Sequence, residues 1–538
     1  MNETKILVSD DVKESGLEPL RAAGFTIEKR TGMTPDELCE IIPGYDALIV
    51  RSETKVTARV MDEAVRLRAI GRAGVGVDNI DIAAATQRGI LVMNAPDGNT
   101  ITTAEHTIAL LTALARSVPQ ASASLKAGRW ERKRFVGVEL QGKTLGIVGL
   151  GRIGRVVASR ARGLGMNVVA YDPFVTPESL LDAELEFASL DQVYARADFL
   201  TVHTPLTPET RGIIGVEAFA KMKQGVRIIN CARGGLVDEA ALVDALVCGK
   251  VAGAALDVFA EEPPPTNHPL LAFDNVIVTP HLGASTTEAQ EGVAVTVAEQ
   301  MRDYFLTGAL RGAVNAPAMN AQQLQTLQPY IELAESLGRF QAQLLDDAAV
   351  REVQLEYAGE LAEMDAAPVT RAFVAGLLRN MSARVNVVNA FLIAEERGLS
   401  ITTSYARTAG AGGAAKSVGT MSHVRTRVLM ADVEQLVAGA LFGPQRDGRI
   451  TEINGFRLEA IPRGHLLVTR NRDVPGVIGR IGSALGERGV NISSFHLGRQ
   501  ERGGEAMAVI ETDAPLGKDT IDSLRSFDEV IYAREIEL

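Results

Sequence analysis

The 538-residue sequence contains few of the residues that indicate a disulfide-rich, metal-binding or membrane-spanning protein. Its three cysteines, Cys39, Cys231 and Cys248, are too scattered for a disulfide framework or a zinc site, which favours the reducing cytoplasm and no bound metal. No apolar run approaches the roughly 18 residues that a membrane-spanning helix needs. Met1 leads directly into an apolar strand, so we expect no signal peptide.

An excess of positive charge is also missing. The chain carries 55 basic and 67 acidic residues, a formal net charge of −12. This balance argues against nucleic acid and anionic membranes as partners, because both attract a basic face. A small anionic substrate stays possible, since a pocket needs only a few well-placed arginines. The remaining composition is that of a globular protein whose length predicts several domains.

Over residues 1–310, short β-branched runs alternate with amphipathic stretches, which predicts parallel sheets covered on both faces. We predict an α/β protein that begins with two doubly wound parallel-sheet domains. One comprises residues 1–97 and 285–315, joined by a returning helix at 288–304, and the other comprises residues 98–284. The predicted strands include 5–9, 47–50, 91–94, 144–148, 167–171, 199–203, 227–230 and 275–278.

The remaining residues predict two smaller α+β domains. Residues 318–460 contain a predicted strand at 352–357, a helix at 370–380 and a Gly/Ala-rich stretch at 409–419. That stretch is interpreted as a surface loop in preference to an anion-binding loop beside Lys416. Residues 465–538 show the strand–helix–strand–strand–helix–strand order of a ferredoxin-like domain.

A dinucleotide-binding pattern directly follows the strand at 144–148. Gly149, Gly151 and Gly154 form a G-x-G-x-x-G at the start of a helix, where free backbone N–H groups can bind a pyrophosphate. The next strand ends at Asp172, which can accept hydrogen bonds from both ribose hydroxyls and would repel a 2′-phosphate. The pattern therefore predicts NAD as cofactor, against the alternative of a glycine-rich turn without a ligand.

Three candidate catalytic residues follow predicted strands of the same domain. Arg233 can bind a carboxylate with its fork of donors, and His281 can exchange a hydroxyl proton near neutral pH. Glu262 can orient the histidine ring. Each has an ordinary structural alternative alone, but together they predict a site for a 2-hydroxy acid at the carboxyl ends of the strands.

These segments resemble the D-isomer-specific 2-hydroxy acid dehydrogenases at 149–154, 230–235, 257–263 and 280–285. The resemblance implies that Arg233, Glu262 and His281 are the catalytic residues. It also implies a Rossmann nucleotide-binding domain and a flavodoxin-like substrate-binding domain. The implied NAD contacts are Val75, Gly149, Gly151, Arg152, Ile153, Gly154, Asp172, Thr204, Cys231, Ala232, Arg233, Asp257, His281, Gly283 and Ala284.

Within that family, segments 50–57 and 71–79 resemble the phosphoglycerate dehydrogenases. The resemblance implies oxidation of 3-phosphoglycerate to 3-phosphohydroxypyruvate, the first step of L-serine biosynthesis. Implied substrate contacts are Arg51, Arg72, Gly74 and Asn99. Arg132 matches an arginine that reaches across a dimer interface in that group, so a homodimer or homotetramer is expected.

The tail resembles the regulatory ACT domain of the long forms of these enzymes, through segments 472–479 and 489–493. The region 318–460 resembles their intervening regulatory domain. The implied effector is L-serine, bound near Asp473 and Asn491, with feedback inhibition as its effect. Asn471 stands where some serine-inhibited relatives have an aromatic residue, a departure from their pattern.

Two other functions are compatible with parts of this pattern. Another D-2-hydroxy acid dehydrogenase, such as a glycerate or hydroxypyruvate reductase, would share the catalytic trio without needing Arg51 and Arg72. A nucleotide-sensing binding protein would share the cofactor domain, but the acidic chain and the ACT-like tail speak against it. Cys231 beside Arg233 is interpreted as a packed thiol in preference to a redox-sensitive one.

Overall fold

The computed structural model describes residues 4–175, 185–319, 321–345, 350–379, 384–406, 422–430 and 433–538. The Gly/Ala-rich stretch at 409–419 and the last residue of the predicted helix at 370–380 lie outside these ranges. Four sheets organise the described residues, and each is called here the first, second, third or fourth unit together with its helices.

The first unit is a parallel sheet of five strands with the flavodoxin-like order β2-β1-β3-β4-β5. Its strands consist largely of buried apolar residues, as expected where helices cover both faces. The strands are β1 Lys5–Val8, β2 Thr26–Lys29, β3 Ala47–Val50, β4 Ala69–Arg72 and β5 Leu91–Asn94, and the helices between them are α1 Glu18–Ala22, α2 Pro35–Ile41, α3 Ala58–Glu63 and α4 Ile82–Gln87.

The second unit is a parallel sheet of seven strands, β6 Thr144–Val148, β7 Asn167–Tyr171, β8 Glu186–Phe187, β9 Phe199–Val202, β10 Val226–Asn230, β11 Val251–Leu256 and β12 Val276–Val278. Its helices are α5 Thr100–Arg116, α6 Val118–Lys126, α7 Arg152–Gly163, α8 Leu190–Arg196, α9 Val216–Lys221 and α10 Glu239–Val247. The strand order β12-β11-β10-β9-β6-β7-β8 reverses between β6 and β9. Ligands of such sheets bind outside the carboxyl ends at this reversal.

Helix α11 Thr287–Thr307 returns from the second unit to the first. Its buried residues Val293, Val297 and Met301 share one core with Ile6. A Cβ on Gly71 of β4 would lie only 2.5 Å from Val297 Cγ1, so glycine there permits the close packing of helix on sheet. The returning helix predicted at 288–304 is therefore present.

The third unit combines two helices packed face to face with a mixed sheet of order β14-β13-β15-β16-β17-β18. Strands β13 and β14 are parallel and the other neighbours are antiparallel. The elements are α12 Ala321–Leu345, β13 Glu352–Ala358, α13 Ala367–Leu378, α14 Ala390–Glu396, β14 Ser400–Ala406, β15 His423–Leu429, β16 Glu434–Phe442, β17 Asp447–Ile453 and β18 Phe456–Ala460. Gly338 and Gly376 permit close contact of α12 with α13, since a Cβ at either would lie 2.2 Å from a backbone oxygen of the other helix.

The fourth unit is an antiparallel sheet of order β20-β21-β19-β22 with two helices, the predicted ferredoxin-like fold. Its elements are β19 His465–Arg472, α15 Val477–Gly486, β20 Ile492–Arg499, β21 Glu505–Thr512, α16 Lys518–Arg525 and β22 Val530–Glu537. This sheet is not isolated, because Leu466, Val468 and Val509 share a core with Leu333 and Leu337 of α12.

The predicted fold class is confirmed for all four units. Most ends of the strands predicted above agree with the observed ones and the others differ by one residue, while the exact domain limits stay predictions. Among the described residues, no helix is both long and apolar enough to span a membrane. The same part of the chain holds no group of three His, Cys, Asp or Glu side chains arranged to bind a metal ion.

Candidate active site

A cleft of about 410 Å³ lies between the first and second units, at the carboxyl ends of their parallel strands. The first unit contributes residues 75–78, and α5 contributes Asn99 and Thr103 at its start. The second unit contributes the loops after β6, β9 and β10 and the turn at 281–284. The strand order therefore brings together residues that are far apart in the sequence.

The three fingerprint glycines have different structural roles. Gly149 has a φ of 97°, and a Cβ there would lie 2.6 Å from His203 O. At Gly154 a Cβ would lie 2.2 Å from Gly149 O, so helix α7 packs directly on the preceding turn. At Gly151 no atom lies within 4 Å of a Cβ. That open position at the N-terminus of α7 is where a pyrophosphate can approach the backbone.

The cleft wall presents polar atoms that suit a bound dinucleotide. Within the described part of the chain, Asn99 Oδ1, Thr204 Oγ1 and His203 Nδ1 are buried and have no hydrogen-bond partner. Buried polar atoms are normally satisfied, so these atoms fit contacts to a ligand. Asp172 stands at the end of β7, and its carboxylate accepts hydrogen bonds from Leu150 N at 2.8 Å and Phe174 N at 2.9 Å. These residues therefore fit NAD as the bound cofactor.

Other predicted cofactor contacts lie in the same region. Ile153, Ala232, Gly283 and Ala284 line the cleft, while Arg152 forms an exposed ion pair with Asp97 at 2.7 Å. Cys231 also lines the cleft, and burial raises the pKa of its thiol to about 12. A thiol that stays protonated is a weak nucleophile, which favours the packed over the redox-sensitive interpretation.

His281 and Glu262 form a hydrogen-bonded pair at the cleft. Nδ1 of His281 lies 2.7 Å from Glu262 Oε2, and Phe259 N donates to Glu262 Oε1 at 3.0 Å. Burial raises the pKa of the Glu262 carboxyl, but these two hydrogen bonds outweigh burial and hold the pKa below its usual range. The carboxylate therefore stays ionised and can support a positive charge on the ring.

Asp257 organises the turn that carries His281. The buried carboxylate accepts hydrogen bonds from Leu282 N and Gly283 N, both at 2.7 Å, and from the Thr279 hydroxyl. Burial raises the pKa of the Asp257 carboxyl, yet the hydrogen bonds lower it to a net value below the usual range. These contacts hold His281 at a φ of 54°, a left-handed conformation that side chains rarely adopt.

His106 belongs to the same network and was missed from the sequence. Its Nε2 lies 3.2 Å from Asp257 Oδ1 and 3.3 Å from Thr279 Oγ1. His106 lies inside α5, and a single histidine within a helix forms no recognisable motif. Its contact depends on how α5 packs against the ends of β11 and β12, which the sequence does not show.

Arg233 is fixed at the entrance between the two units. Its Nη1 donates to Ala232 O at 2.7 Å, and its Nε lies 3.2 Å from Asp78 Oδ2. A Cβ on Gly76 would lie 2.0 Å from Arg233 Nη2, so glycine is needed for this approach. Asp78 lies in segment 71–79, which resembles the phosphoglycerate dehydrogenases, but it was not predicted as a partner of Arg233.

Arg72 lies near Arg233 at the end of β4. Burial, followed by the charge of Arg233, lowers the pKa of Arg72 to about 10. Its Nε is buried without a hydrogen-bond partner among the described residues. A Cβ on Gly74 would lie 2.1 Å from Arg72 Nη1, so this glycine makes room for the guanidinium. A buried guanidinium with an unpartnered Nε beside a second cation suits an anionic ligand.

The other predicted substrate residues differ in position. The Arg51 side chain donates from Nη1 to Asp11 O at 3.0 Å, and its backbone N donates to Asp10 Oδ2 at 2.6 Å. Arg132 is exposed on a short helical turn and is not among the residues lining this cleft. Within a single chain, therefore, Arg233 and His281 line the cleft and Arg72 lies near Arg233, whereas Arg132 is not among the lining residues.

Comparison with known proteins places the chain in a family. A relative from Archaeoglobus fulgidus, D-3-phosphoglycerate dehydrogenase, is 43% identical over 99% of this chain and 100% of its own length. The chain belongs to the D-3-phosphoglycerate dehydrogenase family. The relative of the same name from Bacillus subtilis is 42% identical over 99% of both chains.

Three segments of the chain match models of known domain families. The D-isomer specific 2-hydroxyacid dehydrogenase NAD-binding domain matches residues 108–283, the D-3-phosphoglycerate dehydrogenase intervening domain matches 326–454, and the ACT domain matches 465–529. The family and the NAD-binding domain predicted from the sequence are confirmed.

Solved structures match the first two units. A Thermus thermophilus protein is 39% identical, with a TM-score of 0.54, and covers 58% of this chain and 100% of its own. D-lactate dehydrogenase from Aquifex aeolicus, solved with NAD and lactic acid, is 28% identical, with a TM-score of 0.52, over 59% of this chain and 100% of its own.

The ACT domain does not bring its two predicted effector residues into direct contact. The carboxylate of Asp473 accepts from Gly503 N and Arg499 Nη1, both at 3.2 Å, and these contacts lower the pKa of Asp473. Asn491 instead donates to Asp513 Oδ2 at 2.6 Å. Both side chains already have partners within the chain, so an effector would have to exchange with them.

Proposed function

We propose that this chain oxidises 3-phospho-D-glycerate to 3-phosphohydroxypyruvate with NAD, as the first step of L-serine biosynthesis. The observation that carries the proposal is the cleft, which Arg233 and His281 both line, with Glu262 bonded to His281 and the second cation, Arg72, near Arg233. The names of the full-length relatives support the same substrate.

The substrate has two anionic ends, and the cleft offers a cation for each. Arg233 binds the carboxylate next to the reacting carbon, because its guanidinium stands close to His281 on the cleft wall. Arg72, together with Arg51, binds the phosphate, since Arg72 ends β4 and Arg51 directly follows the neighbouring strand β3. Gly74 and Asn99 complete this side of the site.

The proton is handled by His281. Its Nδ1 carries the hydrogen donated to Glu262 Oε2 at 2.7 Å, which leaves Nε2 to accept the proton of the substrate hydroxyl. The ionised Glu262 stabilises the imidazolium that results. NAD bound in the cleft would supply the acceptor for the hydride that leaves the hydroxyl-bearing carbon of the substrate. The proposed NAD contacts are the cleft residues named from the resemblance, with Asp172 at the ribose.

We further propose that the active form is a homodimer or homotetramer in the cytoplasm. Trp130 is 78% exposed and Val136 is 82% exposed on the segment that carries Arg132. Large apolar side chains at such a surface favour burial against a second copy, which would bring Arg132 to a neighbouring cleft. Three free cysteines are consistent with a reducing compartment.

We also propose the functional division of the chain. Residues 1–97 with 285–315 bind substrate, 98–284 bind NAD, 318–460 form the intervening regulatory domain and 465–538 form the ACT domain. In this proposal L-serine binds at the ACT domain near Asp473 and Asn491 and inhibits the enzyme without entering the cleft.

The proposal is tested by replacing the base. With NAD and 3-phosphoglycerate, the full-length protein is expected to form NADH, and His281→Ala is expected to lower kcat by about 10²–10⁴-fold. Cofactor affinity measured by fluorescence titration serves as the control for an intact cleft. Absence of NADH formation by the wild-type chain, or a variant with nearly full kcat and an unchanged pH profile, would contradict the proposal.

A further inference from the structure

The segment that carries Glu262 follows the end of β11 and belongs to no helix or strand. It comprises residues 257–262 and is called here the Glu262 loop. Within it, Phe259 N donates to Glu262 Oε1 at 3.0 Å, while Glu262 Oε2 lies 2.7 Å from His281 Nδ1. A catalytic carboxylate on such a loop keeps its place only if neighbouring elements fix the loop backbone.

One neighbouring element is the backbone next to Arg233. A Cβ on Gly234 would lie 1.8 Å from Phe259 O and 2.7 Å from Ala260 N. The Glu262 loop therefore packs directly against the backbone at Gly234, where any side chain would displace it. This contact restrains the loop by packing from one direction.

A carboxylate on helix α10 holds the same loop by a hydrogen bond. Ala260 N donates to Glu239 Oε1 at 2.7 Å. Glu239 is the first residue of α10, where the helix dipole favours a negative charge. The loop backbone is thus bonded to the start of a helix, two residues before Glu262.

His268 fixes this carboxylate in turn. Its Nε2 lies 3.1 Å from Glu239 Oε2, and Leu270 N donates to its Nδ1 at 3.4 Å. Because Nδ1 accepts a hydrogen bond, the ring carries its hydrogen on Nε2 and donates it to Glu239. The side chains of His268 and Glu239 are only 13% and 20% exposed, so water competes little for this bond.

The His268 ring also contacts the Glu262 loop directly. Its centroid lies 5.5 Å from that of the buried Phe259 ring, at an interplanar angle of 78°. This edge-to-face geometry is a favourable one for aromatic rings. His268 therefore restrains the loop twice, through Glu239 at the backbone and through the side chain of Phe259.

We propose that His268 and Glu239 are positioning residues that hold the Glu262 loop, and through it the His281 imidazole, in the reactive arrangement. Neither residue lines the cleft, so neither touches the substrate or the cofactor. The catalytic His281–Glu262 pair is thus supported by a second histidine–glutamate pair behind it. This inference rests on the proposed function, because it assigns both residues to the same reaction.

The first test is steady-state kinetics of full-length variants with NAD and 3-phosphoglycerate. His268→Ala and Glu239→Gln are each expected to lower kcat by about 10–100-fold, the equivalent of one charge-assisted hydrogen bond. KM for 3-phosphoglycerate should change by less than about threefold, because the substrate arginines lie on other segments. His268→Gln is expected to restore most of the lost kcat, since its amide can donate to Glu239.

A double-mutant cycle with Glu262→Ala separates positioning from general destabilisation. If His268 acts by placing Glu262, adding His268→Ala to Glu262→Ala should lower kcat by less than about threefold further. Full multiplication of the two losses would show that His268 acts elsewhere and would overturn the proposal.

Asp238→Ala is the matched control. Asp238 precedes Glu239, but its carboxylate caps α10 by accepting from Ala241 N at 3.0 Å instead of bonding the loop. The variant is expected to lower the melting temperature and to leave kcat nearly unchanged. A loss of kcat as large as that in Glu239→Gln would assign the effect to α10 as a whole and contradict the proposal.

Hydrogen–deuterium exchange of the peptide over residues 257–264 examines the loop without turnover. His268→Ala and Glu239→Gln are expected to speed exchange there by about tenfold or more, whereas Asp238→Ala should not. Glu239→Gln conserves the side-chain volume, so it answers the question even if loss of the His268 ring prevents folding.

The exchange result also distinguishes this inference from the proposed function. Unchanged exchange in every folded variant of the pair would overturn the positioning role, whatever the substrate of the enzyme. Absence of NADH formation from 3-phosphoglycerate by the wild-type chain would contradict the proposed function, while faster exchange in the variants would still support the role of His268 and Glu239.

Discussion

At the scale of single residues, the site depends on charges placed against one another at short range. Glu262 is ionised because His281 and a backbone N–H both donate to it, and Asp257 is ionised because four donors surround it. These carboxylates fix the imidazole and the turn that carries it. The position of the His281 ring therefore depends on two acidic residues and their hydrogen bonds.

The Glu262 interaction predicts a pH-dependent effect on stability. Because the pKa of Glu262 is lower in the folded than in the unfolded chain, its ionisation stabilises the fold above the ordinary glutamate value of 4.5 and loses this effect as pH falls through the folded value. Glu262→Gln is therefore expected to lower the free energy of unfolding at neutral pH by up to about 1 kcal/mol, given the partial exposure of the pair.

Denaturant unfolding of wild type and Glu262→Gln at neutral and at acidic pH checks this expectation. The difference between the two proteins should be largest near neutrality and should fade in acid. A difference that persists or grows as pH falls below 4.5 would show that the carboxylate is not ionised preferentially in the folded state.

Much of the candidate site could be predicted at this scale, and the remainder has a physical explanation. Arg233, Glu262 and His281 follow strands of one parallel sheet, and such positions meet at one edge of the sheet. Their partners Asp78 and His106 were not predicted, because Asp78 comes from another sheet and His106 from within a helix. Such contacts depend on how elements pack, which residue spacing does not show.

At the scale of elements, the turn between β6 and α7 contains glycines that close packing requires and a glycine that faces the open ligand site. A side chain at Gly154 would collide with Gly149 O, whereas the position of Gly151 faces open space. The same turn therefore contains two glycines that the fold needs, Gly149 and Gly154, and one, Gly151, that the fold alone does not need.

This difference predicts opposite outcomes for two alanine variants. Gly154→Ala is expected to destabilise the protein by about 1–3 kcal/mol, because the added methyl group overpacks the turn. Gly151→Ala should leave the melting temperature nearly unchanged but weaken NAD binding, since its methyl group occupies the ligand's path. Thermal unfolding and NAD titration of both variants measure the two effects. Equal loss of stability in both would show that Gly151 is also structural.

The parallel strands of the first two units were predicted closely, whereas in the third unit only β13 was predicted. Continuous apolar runs such as β3 lie between helices on both faces and are recognisable in the sequence. Strands β15 and β18 alternate buried with more exposed residues, a pattern typical of a sheet with one covered face. That alternation could have identified both strands from the sequence. Residues 407–421, which precede β15, lie outside the described structure.

At the scale of the whole molecule, the ACT domain and the intervening domain share one core. Arg534 Nη1 donates to Gln343 O at 2.8 Å and to Leu344 O at 2.7 Å, and Leu466 and Ile536 pack in the same cluster as α12. Removing residues beyond 460 would uncover this apolar surface. A regulatory effect of the tail is therefore better tested in the complete chain than by truncation.

The complete chain is expected to bind L-serine and to lose activity as a result. Coupling between distant sites is typically about 1–3 kcal/mol, which corresponds to roughly 5–150-fold in affinity. Calorimetry with L-serine and a parallel inhibition assay measure this effect, with D-serine as the control. Neither heat nor inhibition at millimolar L-serine would leave the ACT domain without a serine-sensing role.

If this cleft selects a phosphorylated 2-hydroxy acid, loss of the Arg72 guanidinium should weaken activity on the phosphorylated substrate and not on its unphosphorylated counterpart. The measurement is kcat/KM for 3-phosphoglycerate and for D-glycerate, in wild type and in Arg72→Ala. Each charge-assisted bond contributes about 1.5–3 kcal/mol, so the variant should raise KM for 3-phosphoglycerate by about 10–100-fold and barely change activity on glycerate. Equal losses on both substrates, or a wild-type preference for glycerate, would contradict the assignment.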